Sequence, residues 1–215
     1  QLPYYLSAFG RVLPDGYSYS GYARQGFFEL CGVAVLDLLV IFLAGVLAKR
    51  NENGRKPVAV RIYSAVFGVT TILLICSAMS KMIMYIGEYG LTGLRFYTSW
   101  FMILLGIVFL VLILHEIFPG MKTVATLFIS FTVMFGALCF CDPDARIAQY
   151  NVESYLSGEI AETDTGSLAM LSEGAAPYVE RLKDSDSAYY NCCNRVLITM
   201  KESRTSGVYF PCLLY

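Results

Sequence analysis

Ionisable side chains are rare in the apolar part of this chain, and the few present are where chemistry would reside. Asp37 lies about eleven residues into an apolar run that begins at Phe27. A charged group near mid-bilayer costs about 2.5–3.5 kcal/mol on insertion scales, so Asp37 must face other helices or water rather than lipid. Two readings fit it: a proton or cation site, or a carboxylate hydrogen-bonded to Ser, Thr or Tyr of a neighbouring helix. The second is favoured, because no acid or base shares its stripe. Glu29 and Lys81 fall near the ends of two successive apolar runs, and Arg24 and Arg95 belong to the same layer. Antiparallel helices bring Glu29 and Lys81 to similar depth. A polar pocket of Arg24, Glu29, Lys81, Tyr85 and Tyr89 follows, with Glu29 paired to Lys81 or to Arg24. The alternative is that Lys81 snorkels and Glu29 simply complements the helix dipole. Asp142, Asp144, Arg146 and Asn151 form a further cluster. Two carboxylates are a weak cation site, and capping by Asp142 explains the pattern better.

Known catalytic patterns fail one by one. His115-Glu116 opens like the zinc-protease HExxH, but Pro119 stands where the second His is needed. The chain has neither a GxSxG elbow nor a phosphate-binding GxxxxGK[ST]. Its seven cysteines include no CxxC, and His115 is the only histidine, so neither a metal site nor a cofactor is expected. The formal net charge of -1 gives no bias toward nucleic acid.

Positioning these groups falls to long apolar segments. Hydrophobic residues make up 56% of the chain and charged residues 15%, against roughly a quarter charged in soluble domains. A spanning helix needs about 20 apolar residues. Four runs qualify: 27–48, 62–80 with helix continuing to about 86, 96–114 and 123–141. The last three carry no charge. The expected fold class is an all-α membrane protein: four antiparallel transmembrane helices plus a short helical extracytoplasmic tail. The segment from Lys49 to Arg61 holds five Lys/Arg in thirteen residues and is expected in the cytoplasm. His115 to Lys122, with its Pro119-Gly120 turn, then also lies inside. The N-terminal stretch, the 86–95 connection and the tail from Asp142 face outward, with Tyr85, Tyr89, Tyr97 and Trp100 in an aromatic belt.

The expected organisation is an outer segment at 1–26, a transmembrane domain at 27–141, a helical tail at 142–184 and a poorly defined stretch at 185–215. In the tail, Asp142-Pro143 caps a helix whose stripe is Ala148, Val152, Tyr155 and Leu156, ending near Gly158. Leu168 and Leu171 mark a second helix. Ser172 to Pro177 starts a third, backed by Tyr178, Val179 and Leu182. The first residues lack a signal peptide and an initiator Met, so the chain reads as a fragment of a longer protein. The apolar end from Val208 to Tyr215 fits poorly with the polar stretch before it.

Three stretches carry a resemblance. They are Tyr19-Ser-Gly-Tyr-Ala-Arg-Gln-Gly-Phe-Phe-Glu-Leu30, Tyr85-Ile-Gly-Glu-Tyr-Gly-Leu-Thr-Gly-Leu-Arg-Phe-Tyr97, and Asp142-Pro-Asp-Ala-Arg-Ile-Ala-Gln-Tyr-Asn151 with Tyr155-Leu156 behind it. Together they resemble the C-terminal half of an uncharacterised bacterial multi-pass family, domain of unknown function 4173, close to its 4153 relative. The likeness runs from Tyr19 to Leu156 and more loosely to about Leu182. The resemblance implies further membrane helices before Gln1 and no assigned activity. It also implies amides where Asp37 and Asp142 stand, which weakens a proton-carrying role for Asp37.

Three functions are expected in descending order. The first is a non-enzymatic envelope scaffold or sensor in the bacterial inner membrane. Its partners would be the lipid bilayer and either other helices of the parent chain or other membrane proteins. The second is a transporter or ion- or proton-coupled channel using Asp37 and the Arg24/Glu29/Lys81 layer. The third is a membrane enzyme whose catalytic groups lie in another part of the parent protein.

Overall fold

A computed structural model describes residues 18–48, 57–118, 120–160 and 164–206. Most of the basic stretch that sets the expected orientation, Pro119 of the expected turn, and the apolar C-terminal end lie outside the described residues. Among those described there is no strand. Eight α-helices follow one another: α1 Tyr19–Leu47, α2 Val58–Tyr89, α3 Gly93–Ile117, α4 Thr123–Phe140, α5 Pro143–Leu156, α6 Thr165–Ala169, α7 Ala176–Ser185 and α8 Tyr190–Ser206. A 3₁₀ turn, Glu173–Ala175, precedes α7. The first four are long and apolar enough to cross a membrane. At 1.5 Å per residue, α1 and α2 exceed the roughly 30 Å hydrocarbon layer, so their ends project beyond it.

The chain forms two compact units, Gln1–Tyr85 with Thr98–Phe135, and Ile86–Tyr97 with Gly136–Tyr215. In the first, α1 and α2 present matching buried stripes. On α1 the stripe is Tyr22, Gly26, Leu30, Ala34 and Asp37; on α2 it is Ser64, Gly68, Thr71, Ile75, Ala78 and Lys81. Steps of three or four residues keep each stripe on one helix face. Small residues dominate them, as close packing between membrane helices requires. Residue 26 meets residue 81 and residue 37 meets residue 71, so the two helices run antiparallel. α3 packs on the pair through Ile113 against Gly68 and Phe101 against Phe27, the rings 6.2 Å apart. The Nε of Arg61 donates to the Glu116 carbonyl at 2.9 Å, satisfying a last-turn carbonyl of α3. No residue of α4 is buried.

The second unit has an ordinary hydrophobic core. Ala148 and Val152 of α5, Leu168 of α6, Ala175 of the 3₁₀ turn, Val179 and Leu182 of α7, and Cys193, Val196, Leu197 and Met200 of α8 pack together. The sequence reading gave no element past Asp184, yet α8 is a 17-residue helix that supplies four of these residues. Leu171, assigned above to a helix, instead follows the one-turn α6 and packs against the core from outside it.

Candidate functional site

The most unusual side chain in the first unit is Lys81. It is 1% exposed, inside an apolar helix pair. Gly26 makes room for it: a Cβ there would lie 2.7 Å from the Lys81 Cδ and 3.3 Å from its Nζ. The ammonium stands over the ring of Tyr22, 4.4 Å from the centroid, where the ring's negative face attracts a cation. Glu29, one turn along α1 from Gly26, is close enough for its charge to act on Lys81. The Glu29 Oε1 accepts from Gln25 Nε2 at 2.8 Å. Its Oε2 is buried with no hydrogen-bond partner among the described residues. Glu29, Ser77 and Lys81 line a cleft of about 20 Å³ whose other walls are apolar. Lys81 therefore does not snorkel; burial between Tyr22 and Gly26 replaces that alternative.

Asp37 lies eight residues beyond Glu29 along α1, about 12 Å by helical rise. It is 8% exposed and accepts a hydrogen bond from the Thr71 hydroxyl. The same hydroxyl is 3.0 Å from the Phe67 carbonyl. This is the neighbouring-helix arrangement that the sequence favoured for Asp37, with Thr71 as the partner.

Other expected residues go elsewhere. Arg24 is exposed on α1, and Tyr85 is half-buried on α2, four residues beyond Lys81. Tyr89 and Arg95 belong to the second unit, so the five-residue pocket does not assemble within the first. There the Arg95 guanidinium donates to the Tyr89 carbonyl at 3.0 Å and also to the Gly90 carbonyl, tightening the α2–α3 connection. Asn151 fastens that connection to α5. Its Oδ1 accepts from the Leu91 amide and its Nδ2 donates to the Leu91 carbonyl, each at 2.7 Å. Gly90 has φ +75, and a Cβ there would lie 2.8 Å from Asn151 Oδ1, so both backbone and space require glycine.

The tail acids are occupied by the fold. Asp142, at φ 44, caps α5 through the Ala145 amide at 3.4 Å and lies against Gly174. Asp144 accepts from the Ser172 amide at 3.0 Å. Asp186 accepts from the Tyr155 hydroxyl at 2.6 Å and from the Ala188 amide at 2.8 Å. That bond pushes the Tyr155 phenol up to about 12 and, with the Ala188 amide, holds Asp186 below its ordinary range. Among the described residues no group of three His, Cys, Asp or Glu side chains could hold a metal.

Sequence reasoning missed Tyr22, Gly26, Ser77 and Thr71. The signal was available for two of them, since Tyr22 and Gly26 precede Glu29 on one helical face.

Fold and site together define a helical membrane protein with four bilayer-length helices, a buried lysine in the first unit and a compact helical second unit. The family model described as domain of unknown function DUF4153 matches residues 1–182, and the chain belongs to that family. No curated protein and no solved structure matches it.

Proposed function

We propose that this protein is a non-enzymatic envelope component, a scaffold or sensor that meets its partner through the helical tail on the outer side of the membrane. One observation carries the reading: the tail's conspicuous polar groups are spent on holding it together and on fastening it to the α2–α3 connection. Asn151 makes two hydrogen bonds to Leu91, and Asp142, Asp144 and Asp186 bind backbone amides or the Tyr155 hydroxyl. A folded surface whose polar groups are spent on its own internal bonds suits docking better than catalysis. Partner capture by the full-length protein in its native membrane, read by crosslinking and mass spectrometry, tests it. Deleting residues 142–206 should abolish capture while membrane insertion persists; full capture by the truncated chain removes the reading.

The second reading is an ion- or proton-coupled transporter, favoured by the burial of Asp37 and Lys81 within bilayer-length helices. Against it, Asp37 is already engaged by the Thr71 hydroxyl. Uptake by cells carrying Asp37→Asn, compared with wild type, separates the two: lost ion-coupled uptake supports transport, and unchanged uptake excludes Asp37 from it.

A further inference from the structure

We propose that the cleft between α1 and α2 holds the ammonium end of an aminophospholipid headgroup. Glu29 brings to it a buried Oε2 that no described residue bonds, while Oε1 is engaged by Gln25. A buried acceptor left without a donor is costly, so the site favours an incoming hydrogen-bond donor. The cleft's volume of about 20 Å³ admits a group the size of one water or one primary ammonium.

Charge narrows the choice. Lys81 lines the same cleft and already offsets the carboxylate. A bare cation would add positive charge beside a buried ammonium. A zwitterion adds none, since its phosphate remains at the mouth of the cleft. Position narrows it further. Glu29 is two residues inside the start of one apolar run, and Lys81 is one residue past the end of another. The cleft therefore lies at the level where headgroups meet acyl chains. Phe28, Leu36, Leu73 and Ile83 on these two helices are all more than half exposed, which provides apolar surface for the chains of a bound lipid. A trimethylated choline head has no N–H to donate and is too large to enter.

The test uses the full chain in nanodiscs of phosphatidylcholine, with or without phosphatidylethanolamine. Thermal unfolding and lipid retention in native mass spectrometry are the readouts. Ligand binding to the folded state raises Tm, so phosphatidylethanolamine should raise it by several degrees and be retained. Measured from its own Tm in pure phosphatidylcholine, Glu29→Gln should gain less than half of that rise. Val33→Phe, which narrows the cleft without touching a charged group, should lose the rise as well. Equal Tm for wild type in both lipids, or a full rise in both variants, overturns the proposal. Soluble phosphoethanolamine should have no effect in phosphatidylcholine discs; a rise equal to that from the lipid would assign the cleft to a soluble zwitterion and overturn the lipid source.

Discussion

A side chain at position 26 cannot coexist with Lys81 where it now lies. The 2.7 Å approach to the Lys81 Cδ means that Gly26→Ala must displace a lysine held against Tyr22 and Gly26 of α1. Overpacking of this kind costs about 1–3 kcal/mol. Gly87→Ala is the control, because nothing lies within 4 Å of its added methyl and alanine is the better helix former by about 1 kcal/mol. Thermal unfolding in detergent should show the first variant destabilised and the second unchanged or improved. Lys81 and Glu29 make a second prediction at this scale. Lys81→Met leaves a carboxylate in the pair without its cation, and Glu29→Gln leaves the buried cation without its anion. The double variant removes both charges and should be more stable than the sum of the single losses predicts, by about 0.5–3 kcal/mol of coupling. Additive losses would show that the two charges do not interact. That Glu29 and Lys81 come to one depth was legible in the sequence, since antiparallel apolar runs put both there, and both line one cleft. The glycine and tyrosine that make burial tolerable share a helical face with Glu29, but neither is apolar enough or charged enough to stand out in a composition-based reading.

At the scale of elements, two ties hold the second unit. Asn151→Ala removes both hydrogen bonds to the Leu91 peptide and leaves its amide and carbonyl without those partners. A cost of about 1–3 kcal/mol is expected, seen as faster hydrogen exchange at Leu91 and along the α2–α3 connection. Gly90→Ala should do the same, through positive φ and contact with Asn151. The other tie responds to pH. Tyr155 titrates near 12 in the folded protein and near 10 when exposed, so its contribution is complete below pH 10 and lost as pH climbs through about 12. Asp186 is held below its ordinary 3.8, so its contribution is complete above that value and lost as pH falls through the lower one. Denaturation of the tail followed by helicity should therefore be flat between these limits and weaken beyond both. Tyr155→Phe should abolish the alkaline loss and blunt the acid one. The four apolar helices were readable because apolar runs of that length with few or no charges have few other uses. α2 nonetheless starts four residues earlier than its apolar run, since Arg61 is helical and finds the Glu116 carbonyl. α8 escaped notice although Cys193, Val196, Leu197 and Met200 have helical spacing. Asn194, Arg195 and the polar residues around them mask the stripe, and only the surface offered by α6, α7 and the 3₁₀ turn explains why it is buried.

For the molecule as a whole, orientation decides which surface a partner can reach. In the proposed orientation the basic stretch from Lys49 to Arg61 stays inside, and an even number of crossings between the N-terminal stretch and the tail then leaves both outside. Cys192 and Cys193 report on this together. Cys192 is exposed and Cys193 is 1% exposed, its thiol pushed up by burial and by the neighbouring Cys192, so only the first is accessible. In a background with Cys141 and Cys212 changed to serine, a membrane-impermeant maleimide added to intact cells should modify Cys192 and spare Cys193 until the protein is denatured. A cysteine introduced at Asn53 should react only after the cells are opened. The reverse pattern would invert every depth assigned here and move the tail, with its partner, to the cytoplasm. Labelling of both Cys192 and Cys193 at equal rates would instead dissolve the packed core of α5 to α8 on which the docking reading depends.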